Sequence, residues 1–253
     1  MRRLTSLLVL VFLLSLVGSS FAVETKIMIR ARAKDAKFIG TSMGGALVTI
    51  RDALTGELLS KGLIQGTTGN TKLLMTTPIV RGMKLTDDRT AGFEAVLDLS
   101  EPRKIEIEVL APYGQPQAMA RATVTTWVVP GKHITGDGLI LEIPGFVVRV
   151  TNPTAHTFLK APASFSLVAT VTPMCGCPVS PNTFWKPEAY EVKAIVKKNG
   201  QPFKTIPLKF SGKTNYYVAS ISLNEPGAYQ FTIYAFDPAT GNTGVDMTTV
   251  VVR

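Results

Sequence analysis

The 253-residue sequence predicts an all-β protein, two β-sandwich domains after a cleavable signal peptide. Three observations carry that prediction. Polar and apolar residues alternate with period two over many short segments, the pattern of half-buried strands. The 21 glycines and 16 prolines interrupt every run that would otherwise build a long amphipathic helix. No long crossover helices separate the strand patterns, which argues against a parallel α/β fold. With 45% hydrophobic and 18% charged residues the chain is globular rather than disordered.

Residues 1–22 read as the signal peptide. Arg2 and Arg3 form the basic start, Leu7 to Val17 is apolar apart from Ser15, and Gly18-Ser19-Ser20 breaks the run. Ser20 and Ala22 place small residues where a signal peptidase reads, so cleavage is expected after Ala22. The apolar run is shorter than the roughly 20 residues of a spanning helix. No later stretch is long and apolar enough, so the mature chain is expected to have no integral membrane span. The expected location is the periplasm or the extracellular space.

A first β domain is expected over residues 23–135. Its strand candidates are Glu24 to Arg32, Gly45 to Arg51, and the return strand after the Asp52 to Gly56 turn. Gly56 supplies a positive φ at no steric cost. After a turn at Gly66 to Asn70, Thr71 to Met75 reads as a strand, followed by Gly92 to Leu99, Lys104 to Leu110 and Ala118 to Val129. The irregular stretch from Thr76 to Gly92 is expected to cover a sheet edge or to face the second domain.

The domain boundary is expected between Pro130 and Phe146. Gly136-Asp137-Gly138 reads as a tight turn, Leu139 to Ile143 as one short strand, and Pro144-Gly145 as its stop. The second domain, residues 146–253, restarts at Phe146 to Val150. In Ser164 to Thr172, the residues Phe165, Leu167, Ala169 and Val171 share one face. Tyr190, Val192, Ala194 and Val196 repeat that pattern. Tyr216 to Leu223, Tyr229 to Phe236 and Thr248 to Val252 complete six or seven strands.

Asn224 to Asp237, with Tyr229 near the start of a core strand, resembles the penultimate strand of bacterial immunoglobulin-like modules, and Gly241 to Gly244 their last hairpin. The paired inter-sheet cysteines of antibody domains are lacking. Ala46 to Asp52 followed by Thr55 to Leu59 resembles transthyretin-like or carboxypeptidase-regulatory modules. These resemblances imply sandwich folds, and they bring no catalytic residues with them.

The one chemical constellation is Met174-Cys175-Gly176-Cys177-Pro178, which holds both cysteines of the chain in a proline-rich loop at a sandwich end. Three readings compete. Two thiolates and a thioether are soft donors that suit copper(I), with zinc a lesser fit, and His156 is the candidate to complete such a site, ahead of His133. The same cysteines suit a small reactive disulfide ring. They also suit a structural role, either between subunits or within the loop. Trp185 is placed over this loop, as a core plug or a hydrophobic rim. The metal reading leads, with Cys175, Cys177, Met174 and His156 as ligands.

Other chemistry is weakly represented. There is no Gly-x-Ser-x-Gly elbow, no His-Glu-x-x-His motif and no phosphate loop. Asp237 and Asp246 read as hairpin residues rather than a calcium loop, and the chain is expected not to be an enzyme. The formal charge of +9 is scattered, without a basic run or a zinc-finger pattern, so no nucleic-acid partner is expected. The leading expectation is an exported copper-binding β protein. The alternative is a structural or adhesive envelope component. It would join an envelope protein or a second copy through sheet edges or an intermolecular disulfide.

Overall fold

The computed structural model describes residues 22–253. The signal-peptide expectation therefore falls almost wholly on residues outside the described ones.

The first seven strands are β1 (Val23–Ala33), β2 (Ala46–Asp52), β3 (Leu58–Ile64), β4 (Phe93–Leu99), β5 (Arg103–Ala111), β6 (Ala120–Val128) and β7 (Ile134–Ile143). They form a three-stranded sheet in the order β4-β1-β7 and a four-stranded sheet in the order β3-β2-β5-β6. Period-two alternation sets their inward faces. Ile27, Ile29 and Ala31 of β1 share a core with Val48, Ile50, Ile105, Ile107 and Val109, all fully buried. Burying each of the larger side chains contributes about 1.5–3 kcal/mol.

The remaining strands are β8 (Phe146–Asn152), β9 (Thr157–Leu159), β10 (Ala163–Pro173), β11 (Glu191–Lys198), β12 (Gln201–Pro207), β13 (Lys209–Phe210), β14 (Tyr216–Leu223), β15 (Gly227–Phe236) and β16 (Thr243–Val252). They make a sheet ordered β13-β14-β10-β8 and another ordered β12-β11-β15-β16-β9. Leu167, Ala169 and Val171 point inward as the alternation predicts, as do Val192, Ala194 and Val196, whereas Phe165 is only half-buried. The Tyr229 hydroxyl donates to the Glu225 carbonyl at 2.9 Å. A tyrosine that ties a core strand back to the preceding corner is a feature of immunoglobulin-like sandwiches.

No described strand of β1–β7 pairs with one of β8–β16, so the ladders change over at Pro144-Gly145. Glycine is required there. Gly145 has a φ of 114°, and a Cβ would sit 2.7 Å from the Thr243 carbonyl oxygen and 2.9 Å from the Met174 Cε.

Two local expectations are corrected. Thr71–Met75 is a short helix, α1, not a strand. The Asn70 side chain accepts from the Leu73 amide, and the Thr76 and Thr77 hydroxyls donate to the Lys72 carbonyl. Local capping of this kind competes with a ladder. Gly136-Asp137-Gly138 is no separate turn. It lies inside β7, where both glycines take positive φ and the parallel register with β1 shifts. Residues 134–143 thus stay with the first group of strands. β12 and β13 fill a stretch with no alternation strong enough to mark them.

Met43 packs on the cysteine loop. The Thr76 to Gly92 segment is fastened to the β4-β1-β7 sheet. Asp137 accepts from the Leu85 and Thr86 amides at 2.8 and 3.1 Å and from the Thr86 hydroxyl at 2.6 Å. The buried Arg30 guanidinium donates to the Thr90, Ala91 and Gly136 carbonyls.

Candidate functional site: the cysteine loop at the joint

The loop after β10 closes on itself and then on the first group of strands. Cys175 and Cys177 are bonded to each other, with their Cα atoms 5.4 Å apart. Gly176 makes the turn with a φ of 75°, and a Cβ there would lie 2.6 Å from the Met43 sulfur. The cysteines are 1% and 3% exposed and Met174 3%. On the far side, the Val179 amide donates to the Asn215 side chain at 2.6 Å and the Asn215 amide returns a bond to the Val179 carbonyl at 2.9 Å.

Three further contacts cross from this end of the second group to the first. Trp185 is buried, and its indole Nε1 donates to the Asp35 carbonyl at 3.2 Å. The Asn242 side chain, also buried, donates to the Lys34 carbonyl at 3.1 Å and accepts from the Gly145 amide at 2.8 Å. The Gln117 amide reaches the Val148 carbonyl at 3.4 Å. Asp237 organises the hairpin holding Asn242, accepting from the Ala239 amide and the Thr240 hydroxyl.

Burial shapes the electrostatics of this joint. Desolvation pushes the Asp35 carboxyl above the ordinary aspartate range, the Asp237 charge adds to the rise, and Arg32 opposes it. Desolvation, together with Asp237, Tyr217 and Asp35, likewise drives the Tyr190 hydroxyl well above its ordinary value.

The copper and zinc expectation is overturned. Both sulfurs are spent on each other, so neither offers a thiolate. Among the described residues no group of three or more His, Cys, Asp and Glu gathers for a metal ion. Met174 turns into the core against Gly145. His156 sits elsewhere, with its backbone amide and ring Nδ1 both beside the Thr249 hydroxyl. Thr249 is six residues along β16 from Thr243, which flanks Met174, a separation of about 20 Å along a strand. His133 accepts from the Lys26 amide in β1. Sequence proximity suggested a ligand set, but the tertiary fold disperses it.

The intermolecular form of the disulfide is overturned too, because the bond is internal and no free cysteine remains among the described residues. Exchange chemistry needs access to a sulfur, and burial denies it. Trp185 is the core plug of the two alternatives offered for it. Sequence reasoning missed Asn242 and Asp35, whose partners lie more than 140 residues away for Trp185–Asp35 and over 200 for Asn242–Lys34. No local pattern signals such pairs.

No family model matches the chain, and no curated protein matches it either. Among solved structures, an engineered protein is 19% identical over 50% of this chain and 24% of its own, with a TM-score of 0.33. Fibronectin(III)-like modules of Clostridium thermocellum CbhA are 10% identical, covering 91% of this chain and 94% of theirs at a TM-score of 0.30. The titin domains Z1Z2 in complex with telethonin are 12% identical over 92% and 98% at 0.25. With TM-scores of 0.33 and below, these likenesses carry no conclusion about family or role.

Proposed function

We propose that this chain is a non-enzymatic structural or adhesive component of the cell envelope, exported by cleavage after Ala22. In this reading two tandem sandwich modules, divided at Pro144-Gly145, are held as one stiff unit. The observation that carries it is the joint itself. Buried Trp185 and Asn242 bond across it, and Met43 packs against Gly176 of the disulfide loop. A flexible linker of two independent modules needs none of these contacts.

The edge of β6 supports assembly through strand addition. Its nine residues contain no proline or glycine and one charge, Arg121, and β5 pairs with one side only. Two other edges are blunted. β12 carries Pro202, Lys204 and Pro207 with an irregular register, and β9 is three residues long. Edges with those features resist pairing, whereas an open edge invites it.

The test is light scattering of the mature chain over a wide concentration range, with and without reductant, beside mass analysis of native material. The expected result is concentration-dependent association that reductant leaves unchanged, in a chain beginning at Val23. A monomer at every concentration sinks the assembly reading, and an intact residue 1–22 segment sinks the export reading.

A further inference from the structure

We infer that the end of the β3-β2-β5-β6 sheet around Trp127 binds a neutral polysaccharide chain. This goes beyond the assembly reading and rests on side chains rather than on the strand edge.

The protein has two tryptophans. Trp185 is buried, while Trp127 is 59% exposed. Alternation along β6 turns Arg121, Thr123, Thr125 and Trp127 outward, and Lys104 lies directly across from Trp127 on β5. Trp127 forms one wall of a recess of about 300 Å³ whose other walls include Leu54, Glu57, Glu101, Arg103 and Lys104. The walls are held in place. The Asp52 carboxylate accepts from the Leu54 and Thr55 amides at 2.8 and 2.9 Å. Arg103 spans Glu57 at 2.8 Å and Asp52 at 3.5 Å. A second recess of about 150 Å³ follows on the same sheet, lined by Thr49, Arg51, Leu58, Lys61, Glu106 and Glu108.

The chemistry selects the ligand class. A sugar ring offers a flat C–H face to an aromatic plane and a rim of hydroxyls that both donate and accept. The recess offers the exposed indole of Trp127 with carboxylates and cations around it. Asp52, Glu57 and Glu101 stand against Arg103 and Lys104, so phosphates of a nucleic acid lack the basic wall they need. A free cation finds Asp52 and Glu57 already paired with Arg103. A protein partner needs about 800 Å² per side with an apolar centre, whereas the row beside Trp127 is Thr125, Thr123 and Arg121. Two successive recesses suit a chain of sugars better than one.

The test uses the full mature chain with cellohexaose and chitohexaose, following tryptophan emission, together with sedimentation on insoluble cellulose and chitin. Because Trp185 is buried, a ligand-dependent blue shift reports Trp127. The expected result is a saturable shift with at least one hexasaccharide. W127A should remove the shift and weaken polysaccharide retention about tenfold or more, with an unchanged urea midpoint. No shift or retention with any of these probes overturns the inference, as does retention that W127A leaves intact. Loss of self-association in W127A without any sugar response assigns the face to protein contact and also overturns it. Self-association measured without sugar reports separately on the assembly reading.

Discussion

The Trp185 indole donates to the backbone carbonyl of Asp35 across 150 positions of sequence, tying the loop after the disulfide to the turn after β1. Asp35 takes a positive φ of 55° there. The pair couples the two groups of sheets without a shared strand.

Trp185→Phe keeps most of the packing and deletes the donor, leaving the part-buried Asp35 carbonyl without this partner. Urea unfolding should show a loss of about 1–2 kcal/mol. Trp185→Ala adds a cavity and should cost about 3–5 kcal/mol. Equal stability of Trp185→Phe and the natural chain would show that the bond contributes nothing.

Asn242→Ala removes a donor to Lys34 and an acceptor for Gly145 at one buried point. The expected loss is about 2–3 kcal/mol. It should appear together with greater protease sensitivity near Pro144-Gly145, read by limited proteolysis. A substitution that loosens neither measure counts against the joint as described.

Asp35 makes stability depend on pH. Its folded pKa lies above the ordinary aspartate value, first through desolvation and then through Asp237. The folded state therefore holds this proton more tightly than the unfolded state. The contribution is fully present below the ordinary aspartate value and is lost as pH rises through the folded value. Asp35→Asn tolerates the left-handed backbone and cannot ionise. Its unfolding midpoint should be higher than that of the natural chain at neutral pH, with the gap closing in acid. A gap that stays constant with pH refutes the assignment.

Asp137 behaves in the opposite sense. Desolvation pulls its pKa up, but hydrogen bonds from Thr86 and the Leu85 amide, together with the Arg30 charge, outweigh it and leave the value below the ordinary range. Its contribution is present above the ordinary aspartate value and is lost as pH falls through the folded value. Asp137→Ala should speed hydrogen exchange at the Leu85 and Thr86 amides far more than in the β5–β6 ladder. Uniform acceleration across the chain would mean global destabilisation instead of a released loop.

The disulfide closes a ring too small to restrain much of the unfolded chain. By loop-closure entropy, replacing both cysteines with serine should cost about 1–2 kcal/mol, plus the burden of two buried hydroxyls. Thiol titration of the unfolded, unreduced protein should find no free thiol. A full count of two would return the loop to its reduced form and remove the ring from the joint.

Most strands were legible because period-two alternation is a local consequence of the pleat, and one buried face imprints it directly. Ile27 and Ile29, Leu167 to Val171, and Val192 to Val196 were read correctly for that reason. Thr71–Met75 is not legible because five residues are too short to show a period, and the Asn70 cap selects the helix. β7 was cut short because two glycines that look like a turn are what a shifted parallel register also requires. The cysteine loop was found, and its position at a sandwich end was right. Its chemistry was not, since a ligand set depends on distances that spacing does not contain.

The sequence by itself determined the β class, the strand faces, the change of pattern at Pro144-Gly145 and the clustering of the two cysteines, all matters of neighbours along the chain. Only the tertiary structure decided that the sulfurs pair with each other, that His156 sits beside Thr249 of β16 and away from the cysteine loop, and that Trp185 and Asn242 fasten one group of sheets to the other. Those outcomes depend on which strands lie side by side and which loops meet at a given end, and packing of distant segments sets that.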